Sequence, residues 1–189
     1  MNRTFTKLAL TAIVLLADAP GRAQQTNYQF INSKTEIKMN NPDFTTSILV
    51  EQSPADVFKA INTPRAWWNE DIAGNTDKLN SEWTYHFGDN HRCKFKIVEM
   101  IPDKKVVWLV EENYFKFTKD PGEWVGNKIT FDISKEGNKT KLNFTQIGLV
   151  PTYECYQVCC NAWTGFIQKS LQSLITTGKG QLKWYEQPQ

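Results

Sequence analysis

The 189-residue sequence predicts an α+β fold. A curved antiparallel sheet wraps around one long C-terminal helix, and two short helices follow the first strand. Three observations predict this. Five segments between residues 83 and 146 alternate apolar and polar positions, as strands with one covered face do. Turn residues punctuate those segments at short intervals. One stretch near the C-terminus then changes from a period of two to a helical period.

The elements follow in order. "DFTTSILVEQ" (43–52) is rich in β-branched residues and reads as a strand. Ser53, Pro54 and Asp56 have the types that begin a helix: a capping hydroxyl, a proline at the first position and an acid in the first turn. Val57, Phe58 and Ile61 give that helix one apolar face. Thr63 and Pro64 repeat the signal, which predicts a second short helix carrying Trp67 and Trp68.

The alternating run comes next. Trp83, Tyr85 and Phe87 oppose Thr84 and His86, and Cys93, Phe95 and Ile97 oppose Lys94 and Lys96. Val106, Trp108 and Val110 share a face. Ile129, Phe131 and Ile133 oppose Lys128, Thr130 and Asp132, and Leu142, Phe144 and Gln146 oppose Lys141, Asn143 and Thr145. Such a pattern belongs to an antiparallel sheet covered on one side. "GDN" (88–90), "PD" (102–103) and "EGN" (136–138) supply the connections. Residues 112–124 form a longer stretch, a flap or an ordinary surface loop.

From about Pro151 to Thr177, Tyr153, Tyr156, Cys160, Trp163, Ile167, Leu171 and Leu174 recur at helical spacing, closed by Gly178. A helix of about 25 residues spans roughly 35–40 Å. It is the one element large enough to cover the sheet.

The leader is separate. Residues 8–17 are an apolar run of ten behind two positive charges, ending near Ala23. This resembles a secretory signal and is too short to span a bilayer. A rival reading starts translation at Met39 and makes residues 1–38 an upstream extension. The first reading exports the chain and the second leaves it in the cytoplasm. Either way the domain is expected over 39–181, with 182–189 as a tail and no transmembrane segment in the mature chain.

Net charge is +2 and no basic run stands out, so nucleic acid is not an expected partner. Three of four cysteines, Cys155, Cys159 and Cys160, fall within six positions. Cys155 and Cys159 share a helical face, but two thiols are too few ligands for a metal. Cys93 and His91 would share a strand face that its neighbours make apolar. Buried cysteine as a small hydrophobe is the expectation, with no metal and no cofactor.

"SPADVFKAINTPRAWW", "VVWLVEE", "EWVGNKITFDI", "TKLNFTQIGLVPTYECY" and "SLQSLITTGKG" occur in that order. Together they resemble the activators of the 90-kDa heat-shock-protein ATPase. That family lies in the helix-grip superfamily, with START domains, polyketide cyclases and birch-pollen-allergen-like proteins. The resemblance covers about residues 43–181. It implies a helix-grip (START-like) fold with an apolar pocket between sheet and helix. Many relatives carry His where Gln146 stands, so an acid–base role there is not expected. A chaperone partner is implied by resemblance only, and the co-chaperone activity of two-domain relatives is not carried over.

The seven Trp, six Tyr and eleven Phe suit a hollow lined with rings. The expected function is binding of a small hydrophobic or aromatic ligand. The candidate lining is Tyr85, Phe95, Trp108, Phe131, Phe144, Tyr156 and Trp163, with Trp68 at the mouth and Gln146 as a polar contact. A filled core is the alternative for each ring. A cyclase- or aromatase-like enzyme and a protein-interaction module are the other two classes. The enzyme needs an inward-facing acid or base. His86 is expected in solvent, His91 in or beside a turn and Glu99 at the sheet end, so no catalytic residue is assigned.

Overall fold

The computed structural model describes residues 42–184. The leader, the Met39 start and residues 185–189 lie outside the described residues. Seven strands form one antiparallel sheet: β1 (Phe44–Val50), β2 (Ile72–Gly74), β3 (Glu82–Phe87), β4 (His91–Ile101), β5 (Lys105–Phe115), β6 (Lys128–Glu136) and β7 (Lys139–Ile147). Their order is β1-β7-β6-β5-β4-β3-β2. Thus β3 to β7 are a meander of hairpins, and β1 returns to pair with β7.

The alternation read from the sequence sets the faces. Phe131 lies opposite Phe144 and Ile133 opposite Leu142, all on the covered side. Lys94 on the outer side reaches Glu82 at 2.7 Å and Glu111 at 3.2 Å. Pairs this exposed contribute little stability. They keep the open face wet. Six strands, not five, follow the first helix. The addition is β2, whose three residues are too few to show a period.

The first helix, α1 (Pro54–Ile61), begins as its sequence predicts. The Asp56 N–H donates to Ser53 Oγ at 3.2 Å, and the Ser53 N–H donates to Asp56 Oδ2 at 3.1 Å. This reciprocal cap satisfies two N–H groups that the first turn leaves open. The predicted second helix is a single 3₁₀ turn, Pro64–Ala66. Trp67 and Trp68 follow it and turn inward, both buried.

The covering helix runs from Tyr156 to Thr177 as α2 (Tyr156–Gly165), a π-helical turn (Phe166–Leu171) and α3 (Gln172–Thr177). Residues 151–155 are turns before it. The π turn has a cause in the packing. Cys159, Trp163, Ile167, Leu171 and Ile175 are all buried, at a constant spacing of four. Each step of four overshoots a 3.6-residue turn by about 40°. A wider turn in the middle keeps all five against the sheet. It also exchanges Leu174 for Ile175 on the fully buried face. Gly178 ends the helix at φ +80, the left-handed region that glycine enters freely.

Packing differs along the helix. Its C-terminal half packs on α1 and β1, and α1 packs on β5, β6 and β7, so that Val57, Ile61, Val106 and Ile133 are buried in one core. Its N-terminal half stands over the ends of β3, β4 and β5, where a hollow remains. This is the helix-grip fold.

Candidate functional site

The hollow is a cavity of about 530 Å³ between the sheet and the N-terminal half of the helix. The far ends of β3, β4 and β5 supply Tyr85, Phe87, Asn90, His91 and Phe115. The loop from 116 to 127 supplies Phe117 and Trp124. The helix supplies Val158, Cys159, Asn161, Ala162, Trp163 and Phe166, and Trp68 and Trp184 close two sides. No Asp, Glu, Lys or Arg is among these residues. The mouth is apolar, since Phe87, Phe117 and Val158 are exposed there.

A β-bulge builds the polar corner of this cavity. Lys94 pairs with Glu112 but Phe95 pairs with Val110, so Glu111 is an extra residue in β5. One extra residue reverses which side chains face inward beyond it. Val106, Trp108 and Val110 point inward before the bulge. Asn113 and Phe115 take their place after it, opposite Cys93 and His91. A second register shift, between Ile97 and Glu99, works the same way. It sends Glu99 outward to Lys105 at 3.1 Å and packs Met100 against the core.

His91 is the residue that the sequence pattern missed. It opens β4 directly after the turn, and its ring sits 4.2 Å from that of Phe115 and 5.1 Å from those of Tyr85 and Trp124. Burial holds its pKa down at about 4, despite a hydrogen bond to the Asn113 amide oxygen acting the other way. It is neutral at physiological pH. His86, one alternation away, faces water 3.9 Å from Asp71.

The His91 Nε2 lies 3.0 Å from both Asn113 Oδ1 and Cys93 Sγ, and the Cys93 thiol donates to the same Oδ1 at 2.9 Å. The Asn113 amide is fixed because its Nδ2 donates to the Pro121 carbonyl at 2.8 Å. Only an acceptor therefore faces His91 and Cys93, and both point protons at it. An activated thiol needs the bare nitrogen of the base beside it and the orienting group on the other nitrogen. Here one nitrogen faces both, and burial raises the Cys93 pKa further. Cys93 stays a thiol.

The helical cysteines behave alike. All four cysteines are unbridged and buried. Cys159 is held protonated by its bond with Cys155 and by burial, and Cys160 is raised by burial. Cys155 accepts from the Trp124 indole N–H at 3.2 Å. Among the described residues no group of three His, Cys, Asp or Glu side chains is placed to hold a metal.

The 112–124 stretch divides. Residues 112–115 complete β5, and the loop beyond is fastened to the helix start. Glu123 accepts from the backbone N–H of Glu154 at 2.6 Å and of Cys155 at 3.1 Å. Glu154 accepts from the Lys119 N–H at 2.7 Å, which holds its carboxyl below the usual range. The Cys155 N–H, at the N-cap of the helix, would otherwise be open.

Of the residues singled out from sequence, Trp68, Tyr85 and Trp163 line the cavity. Phe95, Trp108, Phe131 and Phe144 do not; they are wholly buried and touch one another, with Trp108 and Phe131 at 4.6 Å and Phe131 and Phe144 at 5.3 Å. Mid-strand rings fill the curve of the sheet instead of walling it. Gln146 is buried among them and accepts from the Trp163 indole at 2.6 Å. Tyr156 sits beside the cavity, half-buried at the helix start. Phe115, Trp124 and Phe166 were each visible as rings, but no pattern placed them at one end of the molecule.

A sheet gripping a C-terminal helix, with an apolar hollow between them, defines the helix-grip class. Within it the family is shown directly. Residues 51–176 match the family described as activator of Hsp90 ATPase homolog 1-like protein, and the chain belongs to it. A solution structure of an Aha1 dimer from Colwellia psychrerythraea is 26% identical, with a TM-score of 0.60, over 74% of this chain and 99% of that one. A Mesorhizobium loti protein shares the fold at 16% identity and TM-score 0.56, over 69% of this chain and 96% of its own. DynU16, a protein from the dynemicin biosynthetic locus, shares it at 14% and 0.51, over 74% of this chain and 49% of that one. No protein of curated function matches. Among the described residues no helix is long and apolar enough to cross a membrane.

Proposed function

We propose that this chain binds a small apolar, ring-containing molecule in the cavity under the N-terminal half of its long helix. One observation carries the reading: a hollow of about 530 Å³ walled by aromatic rings, with no charged side chain among the described residues that line it. Small-molecule sites commonly occupy about 300–1,000 Å³ and are lined in this way. Binding would bury ring against ring, and offset or edge contacts add about 0.5–1.5 kcal/mol per pair beyond area. Catalysis has less support, because Cys93 is held protonated and no carboxylate is among the described residues that line the hollow. The Hsp90-activator name of the family makes a chaperone the partner to try if the cavity proves closed to ligands.

The test is native mass spectrometry of the chain purified gently from its own host, before and after organic extraction. An adduct lost on extraction supports the reading and gives the ligand's mass. A protein that carries no adduct, and whose tryptophan fluorescence no polycyclic aromatic quenches, overturns it.

A further inference from the structure

The chemistry at the corner of the cavity narrows the ligand further, on the reading that the cavity is a binding site. Among the described residues its walls carry no charge to meet a carboxylate, phosphate or ammonium, and an unpaired charge buried there would be costly. Asn90 and Asn161 are exposed at the mouth. Deeper in the wall lie His91, the Tyr85 hydroxyl and the Cys159 thiol, and of these the imidazole nitrogen is the strongest acceptor.

The tautomer of His91 follows from its neighbours. Asn113 Nδ2 is committed to the Pro121 carbonyl, so Oδ1 faces the imidazole and the proton sits on Nε2. Nδ1 then carries the lone pair. The hydrogen bonds that described residues make to this ring all fall on Nε2, and His91 lines the cavity. The groups packed around the ring are Phe115, Tyr85, Trp124, Cys93 and Asn113, all uncharged. None of them competes as a cation for a ligand's oxygen.

We propose that the cavity takes an uncharged, multi-ring aromatic molecule that donates one hydroxyl hydrogen bond to Nδ1 of His91. The rings of Phe115, Trp124, Trp68 and Trp163 hold its planar body. His91 sets which edge enters first. A hydroxyl gains one neutral hydrogen bond there, an ether gains none, and a carboxylate loses its hydration without a counter-charge.

Three probes of one shape test this on the full chain at pH 7: 1-hydroxypyrene, 1-methoxypyrene and pyrene-1-carboxylate, titrated by fluorescence. The hydroxyl probe should bind about tenfold more tightly than the ether, the yield of one neutral hydrogen bond. The carboxylate should bind most weakly. In His91→Phe the ether's affinity should hold and the hydroxyl's should fall to match it. Should that variant fail to fold, ¹⁵N spectra of the wild-type imidazole give the answer. The Nδ1 resonance should move with the hydroxyl probe and stay put with the ether. If hydroxyl and ether bind equally, or the carboxylate binds best, this inference fails while the cavity reading stands. If none of the three binds, the cavity reading itself fails.

Discussion

The two ends of the space under the long helix are made of the same kinds of residue and behave differently. At one end Trp67, Trp108, Phe131 and Phe144 pack ring on ring with no exposed surface. At the other, Tyr85, His91, Phe115 and Trp124 stand around a hollow. Composition does not separate them. Backing does: the packed end has α1 pressed onto its strands and the Trp163 ring on Phe144, whereas the hollow end is roofed by a loop and one helical half. A ring becomes core or wall according to what stands behind it.

The sharpest break of that comparison is Trp108→Ala. Trp108 touches the rings of Trp67, Trp83 and Phe131 and is fully buried. Its removal should cost about 3–5 kcal/mol of stability, read from denaturant unfolding. The affinity of the folded fraction for an aromatic probe should change little. A large loss of affinity at unchanged stability would erase the distinction between the ends.

Acid should act through the hollow end. His91 titrates at about 4 in the fold and near 6.5 unfolded, so the unfolded chain takes up the extra proton between those values. Its contribution is complete above about pH 6.5 and is lost as pH falls through 4. The shift corresponds to roughly 3 kcal/mol at most. Unfolding free energies measured across this range should fall less steeply in His91→Phe than in wild type. Parallel slopes would show that the imidazole is already wet.

The gentlest change sharpens the contrast from the rim. Phe117 is half exposed at the mouth, 4.9 Å from Phe115. Phe117→Ser should leave stability within about 0.5 kcal/mol, as exposed substitutions do. Probe affinity should still drop several-fold, because the ring would cover a bound ligand. Unchanged affinity would place the ligand deeper than the mouth.

The fold was open to reading because it rests on period. Two-residue alternation from Trp83 to Gln146, followed by helical spacing, permits few arrangements. The site was less open, for local reasons. Glu111 looks like any strand residue, yet its bulge turns Asn113 and Phe115 inward, against the simple count. His91 shares the apolar face of Cys93 by count, but it stands at the turn, and the count does not say whether a residue there is covered. The π turn shifts the end of the helical stripe by one residue, from Leu174 to Ile175. Conversely, Phe95, Trp108, Phe131 and Phe144 were correctly placed on the inner face, but a face does not say where along it the packing stops.

The loop after β5 has a consequence for the order in which the molecule assembles. Glu123 caps a helix whose first bonded N–H groups lie 31 and 32 residues further along the chain. Those bonds cannot close until β6, β7 and the helix start are in position. A contact that needs those elements in place is expected to form after the rate-limiting step. Glu123→Ala should therefore accelerate unfolding and leave the refolding rate nearly unchanged. The hollow end would be the last part of the protein to acquire its shape and the first to give it up.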